Sequence, residues 1–169
     1  EGGTTLLRHA IDGLVATTPE AMALLAPSLN SYRRYRPGSL VPMAPSWGYN
    51  NRSVAFRVPT GAPKARRVEH RIAGADANPY LAVAAILAGM LHGIEKKLDP
   101  GKPATTDVSA EIDRNTPFRW HEAIDRLRRA KILPAYLDAG YLSLYADAKE
   151  AEMHKFNAAI SPQEHAWYL

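Results

Sequence analysis

Apolar positions at Leu6, Leu7, Ala10, Leu14 and Val15 recur at helical spacing, so Leu6 to Leu25 reads as an amphipathic helix. Thr18 can cap and Pro19 can take a first helical position, which predicts that a second short turn starts there. From Asn30 to Pro45 the residues Pro37, Gly38, Pro42 and Pro45 forbid a long regular element and leave an ordered loop or flap. The period then changes to two. Ser53 to Val58 sets Val54, Phe56 and Val58 against Ser53 and Arg57, and Arg66 to Ile72 sets Val68, His70 and Ile72 against Arg67, Glu69 and Arg71. The connecting segment holds Pro59, Gly61 and Pro63, so the two strands are expected to be antiparallel neighbours with Arg57, Arg67, Glu69 and Arg71 on one face.

Helical spacing returns after Asp76. Asn78 is a candidate N-cap with Pro79 at N1, and the Ala/Leu/Ile-rich run to Lys97 is apolar on nearly every side, which predicts a largely buried helix. Gly101 to Thr116 reads as a polar linker. Three further helical patterns follow, over His121–Ala130, Tyr141–Phe156 and Ser161–Tyr168, the last with Ser161 and Glu164 in a capping-box arrangement. The pattern as a whole predicts an α+β fold in which antiparallel strands pack with helices.

With 169 residues, 46% of them hydrophobic, the chain can bury a substantial core, and it is neither a disordered tail nor a disulfide-stapled mini-protein. It has no cysteine, which excludes a thiol nucleophile and a thiolate-bound metal and fits a cytoplasmic location. The longest apolar run, Tyr80 to Leu91, is shorter than the roughly 20 residues that cross a bilayer, so no membrane element is expected.

Charge sharpens the picture by its distribution. Arg33, Arg34, Arg36, Arg52, Arg57, Lys64, Arg66, Arg67 and Arg71 crowd one segment whose single acid is Glu69, while the rest of the chain carries 12 basic against 16 acidic residues. Eight of those nine cations are arginine, whose planar fork grips phosphate or carboxylate through two parallel bonds, so the segment reads as an anion site. A nucleic-acid surface is disfavoured, because the arginines alternate with apolar residues and no nucleic-acid motif is present.

The Arg67-Val68-Glu69-His70-Arg71 stretch places one carboxylate about 7 Å from a guanidinium on either side. Two readings follow: a salt-bridge ladder, or a carboxylate kept ionised for a hard cation such as Mg²⁺ while the arginines take phosphate or carboxylate oxygens. The six histidines show no metal spacing, His70 falls on the apolar side of its strand, and no glycine-rich phosphate loop occurs. Trp120, Trp167 and the tyrosines read as core or interface residues.

The strings NSYRRYRPG (30–38), NNRSVAFRVP (50–59), ARRVEHR (65–71) and DANPYLAVAAILAG (76–89), in this order and spacing, resemble the C-terminal part of the glutamine synthetase superfamily. The resemblance implies that residues 1–169 are the C-terminal portion of the catalytic domain, without the N-terminal β-grasp domain and the earlier strands. It further implies an ATP-dependent ligase in which the γ-carboxylate of L-glutamate is phosphorylated and an amine then displaces phosphate. By the same resemblance Arg34 and Arg71 bind glutamate, Arg52, Arg57, Lys64 and Arg67 bind ATP, and Arg52 and Arg57 are catalytic. Glu69 would ligate Mg²⁺ or Mn²⁺, and the full-length protein would be a homo-oligomer.

One departure bears on the acceptor. Glutamine-forming members carry a glutamate in the flap that helps deprotonate ammonium, and here Leu40 holds that position within Pro37-Gly38-Ser39-Leu40-Val41-Pro42. A placed general base is worth about 10²–10⁴ in rate, so its loss argues against ammonia. Leu40 gives the flap an apolar lining, and with Trp47-Gly48 and Glu69-His70-Arg71 the pattern resembles the γ-glutamylpolyamine synthetase branch, whose acceptor is putrescine or a similar amine with a methylene stem. Glutamine synthetase proper and a non-catalytic anion-binding homologue are the alternatives. A single glutamate is too few ligands for a two-metal site, so the chain alone is expected to be inactive.

Overall fold

The computed structural model of the protein describes residues 5–168. Helix α1 (Thr5–Leu25) lies along helix α3 (Pro79–Lys96), and a short three-stranded sheet, β1 (Trp47–Tyr49), β2 (Phe56–Val58) and β3 (Glu69–His70), sits beside them. The short helix α2 (Leu29–Tyr32) precedes the flap, and α4 (Trp120–Arg128), α5 (Ala139–Asn157) and α6 (Pro162–Tyr168) complete the chain. The α+β class is as expected.

The core is drawn from both halves of the chain, with Ile11, Met22, Leu24, Leu25, Phe56, Ile72, Ile124, Leu127 and Leu133 all essentially inaccessible. Close approach of α1 and α3 depends on glycine. A Cβ on Gly13 would lie 2.0 Å from the Gly89 carbonyl oxygen, and one on Gly93 would lie 2.0 Å from the His9 carbonyl oxygen, so the two backbones touch where no side chain fits. Gly89 and Gly93 are one helical turn apart on α3 and form the seam.

Two expectations about the helices are corrected. Helix α1 is continuous through Pro19, and the Thr18 hydroxyl donates to the Leu14 carbonyl at 2.7 Å instead of capping a new turn. An internal proline costs about 3 kcal/mol, but Ala21 to Ala26 are all buried beyond it, and each large apolar side chain so buried returns about 1.5–3 kcal/mol. Helix α3 is capped as expected by the Asn78 side chain, yet it is buried on one face only: Tyr80, Val83, Leu87 and Leu91 form an exposed stripe. Trp120 is buried, whereas Trp167 is 69% exposed and belongs to no core of this chain. The Ser161–Glu164 capping box is present, with both reciprocal bonds made.

Strands β2 and β3 are antiparallel, with Phe56 opposite His70 and Arg57 opposite Glu69. Both are shorter than the alternation suggests. The next pairs in this register would bring Pro59 opposite Arg67, and proline has no N–H to donate, so the ladder stops. Strand β1 pairs with β2 in parallel and was not expected, because three residues, Trp-Gly-Tyr, carry too little period to read. Gly48 is required there, since a Cβ would lie 2.7 Å from the Ala104 carbonyl oxygen of the crossing loop.

Candidate functional site

Register alone brings Arg57 and Glu69 together. Arg57 Nη1 donates to Glu69 Oε2 at 2.8 Å, and Arg71 Nη1 donates to Glu69 Oε1 at 3.0 Å, so one carboxylate holds two guanidiniums. Partial burial pulls the Glu69 carboxyl up, but the hydrogen bonds from Arg71 and Arg57 outweigh it and set the group below its ordinary value. His70 points to the other side of β3, edge-on to Phe56 with ring centroids 5.2 Å apart. Burial lowers it to about 4, so it is neutral near pH 7 and packs as an aromatic ring, as expected.

Arg34 reaches the same neighbourhood from another element. Helix α2 is capped by Ser28, and the hydroxyls of Ser28 and Ser31 both donate to Asp76 Oδ2, fastening the helix to the segment that follows β3. Burial works to raise the Asp76 carboxyl, and the Ser31 and Ser28 bonds outweigh it, leaving the group ionised. From there Arg34 Nη2 donates to the Ile72 carbonyl at 3.4 Å, next in sequence to Arg71, and its guanidinium lies over the Tyr35 ring.

These three arginines share one property. Arg34 Nη1, Arg57 Nε and Arg71 Nε are buried N–H groups with no hydrogen-bond partner. A buried unsatisfied donor costs about 1–3 kcal/mol, and more when charged, so the fold carries this cost where the arginines gather. The salt-bridge ladder is therefore real but incomplete: the Glu69 bonds satisfy only part of the guanidinium donors.

The remaining arginines and Lys64 stand apart. Arg67 lies outside β3, is exposed, and donates to the Ala65 carbonyl two residues back, so it does not share the Glu69 face as the alternation predicts. Lys64 is exposed on the 3-10 turn Pro63–Ala65. Arg52 is exposed on the wall of a cavity of about 730 Å³, between the flap residues Gly38 to Pro42 on one side and Thr105 to Asp107 on the other. Leu40 lines this cavity with 92% of its surface exposed, an apolar flap lining as expected from the sequence.

Two asparagines that the sequence analysis left aside organise the site. Asn50 Oδ1 accepts from Arg57 Nη2 at 2.6 Å. Asn51 Nδ2 donates to the carbonyls of Ala104 and Thr106, while its Oδ1 accepts from Ser53, so it ties the Arg52 turn to the opposite wall of the cavity. Their signal in the sequence was only the Asn-Asn pair before Arg52, which reads equally well as a turn.

No group of three or more His, Asp or Glu side chains that could hold a metal ion occurs among the described residues. Both Glu69 oxygens accept from guanidiniums, and the described residues assemble no such group around it. Glu69 offers a single carboxylate, each of whose oxygens accepts one arginine bond and keeps a further lone pair. No helix of the described residues is long and apolar enough to cross a membrane.

The family model for the glutamine synthetase catalytic domain matches residues 1–168. The chain is 40% identical over 164 residues to γ-glutamylputrescine synthetase PuuA of Escherichia coli K12, a match covering 97% of this chain and 35% of the relative. It is 34% identical over 166 residues to γ-glutamylethanolamide synthetase GlnA4 of Streptomyces coelicolor, covering 97% of this chain and 36% of that one. A solved structure of GmaS without ligand superposes with a TM-score of 0.80 at 28% identity, over 99% of this chain and 39% of the other. The chain thus spans little more than a third of the length of the proteins it matches.

Proposed function

This chain belongs to the glutamine synthetase catalytic-domain family, and on that premise we propose that the protein joins the γ-carboxylate of L-glutamate to an amine at the expense of ATP. The observation that carries the reading is the set of three buried, unpartnered arginine donors around the Arg57–Glu69–Arg71 pairing. In the reaction a γ-carboxylate oxygen of glutamate attacks the terminal phosphorus of ATP and ADP leaves. The neutral amine nitrogen then attacks the acyl carbon of γ-glutamyl phosphate, phosphate departs with its bonding electron pair, and the nitrogen releases one proton as the amide forms.

Negative charge moves between carboxylate, phosphoryl and leaving-group oxygens throughout, and fixed guanidiniums stabilise it without reorganising. Arg34 and Arg71 are assigned to the glutamate carboxylate, and Arg57 with Arg52 to the transferring phosphoryl group. Lys64 and Arg67, both exposed, are assigned to the ATP phosphates. Glu69 orients Arg57 and Arg71 within this chain; serving Mg²⁺ or Mn²⁺, it would supply one ligand of a set completed by residues outside 5–168. The remaining catalytic-domain strands and the N-terminal domain, and the contacts of a homo-oligomer, belong to that same larger assembly.

The acceptor is an amine carrying a methylene stem. Leu40 presents an apolar side chain to the cavity where an acid would serve ammonium, and the matched relatives' names specify putrescine and ethanolamide products. Burial of each stem methylene is worth about 0.8 kcal/mol.

The test is Mg²⁺-dependent phosphate release by the complete protein with ATP and L-glutamate, comparing putrescine, spermidine and ammonium. Release with the diamine or polyamine at least tenfold above ammonium is expected. Release with ammonium alone would make this a glutamine synthetase with another base, and binding of ATP without release under any condition would overturn the ligase reading.

A further inference from the structure

Asn50 follows the last residue of β1 and is, among the described residues, one of two non-glycine residues with positive φ, at +48°. Its backbone N–H donates to the Val58 carbonyl at 2.9 Å, which pins it beside the end of β2. Asparagine tolerates the left-handed region better than most residues, but glycine would occupy it at still lower cost. Backbone geometry alone therefore does not explain an asparagine here. The side chain does something glycine cannot: its Oδ1 accepts from Arg57 Nη2.

That bond completes a clamp. Arg57 Nη1 is held by Glu69 and Nη2 by Asn50, so both terminal nitrogens of a rigid planar fork have separate acceptors. Two anchors fix the guanidinium plane, and the buried Nε stays unpartnered. Asn50 supplies its anchor without charge.

We propose that Asn50 is a positioning residue for the phosphoryl-transfer step, acting through Arg57. The inference rests on the reading of Arg57 as an arginine of the transferring group. Asn50 also lines the cavity beside Leu40 and Arg52, so it joins the acceptor-side wall to the guanidinium pair. A turn residue with no further role would also sit at this φ, and the two roles separate on substitution.

The experiment uses the complete protein and measures melting temperature and the steady-state constants of amine-dependent phosphate release for Asn50→Gly, Asn50→Asp and Arg57→Ala. Asn50→Gly relieves the backbone and removes the acceptor: its melting temperature should stay at or above the parent value while kcat falls about 10- to 100-fold, with KM for the amine unchanged. Asn50→Asp keeps an acceptor oxygen in place and should recover most of kcat. Parental kcat in Asn50→Gly would overturn the inference, as would an equal loss in Asn50→Asp. Parental turnover in Arg57→Ala would remove the reading of Arg57 itself, and the inference with it.

Discussion

Two groups of cations from one basic segment have opposite structural fates. Arg34, Arg57 and Arg71 are half-buried and held by carbonyl, amide or carboxylate acceptors of other elements, while Arg52, Lys64 and Arg67 stand in solvent, Arg67 bonding the Ala65 carbonyl two residues back. The difference is one of preorganisation. A guanidinium whose direction is set before the ligand arrives contributes its full electrostatic effect, whereas a free side chain must first lose rotamer entropy of up to about 2 kcal/mol. The held group is suited to charge that develops during reaction, and the free group to attracting and covering a polyphosphate.

The sharpest way to break this contrast is to remove the shared anchor. Glu69→Gln leaves Arg57 and Arg71 with a neutral partner and unrelieved mutual repulsion, and phosphate release by the complete protein should fall about 10²–10³-fold with a lowered melting temperature. An undiminished rate would show that the pairing is a surface ladder after all.

A second test acts on the strand that carries the anchor. His70 is neutral and packed in the fold, with its pKa lowered to about 4 against an ordinary value near 6.5. A depressed histidine contributes stability that is complete above pH 6.5 and is lost as pH falls toward 4, because the unfolded chain binds the proton first. The loss reaches about 3 kcal/mol at most. Urea midpoints measured from pH 7 to pH 4 should fall over this window and should flatten in His70→Phe. Glu69, held below its ordinary value, adds a loss only at the acid end of this window, as pH falls past the ordinary carboxylate value, and that part should persist in His70→Phe.

The smallest effect belongs to the free group. Lys64→Ala should raise KM for ATP about tenfold, most strongly at low salt, with no shift in melting temperature, because the side chain is exposed and supports no packing. A thermal shift comparable with that of Glu69→Gln would erase the distinction between the two groups.

Much of this arrangement was legible beforehand for a physical reason: local rules govern it. Alternation over Ser53–Val58 and Arg66–Ile72 specified an antiparallel pair with Arg57 and Glu69 on one face, and Asn78-Pro79 and Ser161-Pro162 marked helix starts whose caps are observed. Arg67 was misplaced because alternation says nothing of where a partner strand ends, and Pro59 ends it. Asn50 and Asn51 were passed over because their partners lie 7 and more than 50 residues away. Helix α1 ran through Pro19 because burial of the following turn outweighs a local breaker.

By itself the sequence determined the fold class, the helix starts, the basic segment and, through four ordered motifs, the family. Those depend on composition, short-range periodicity and residue type. Only the tertiary structure decided which arginines are held and which are free, that Asn50 shares Arg57 with Glu69, and that glycines bring α1 and α3 into backbone contact. Each of these turns on whether an acceptor or a neighbouring backbone, distant along the chain, comes within about 3 Å, and hydrogen bonding and steric exclusion are decided at that range alone.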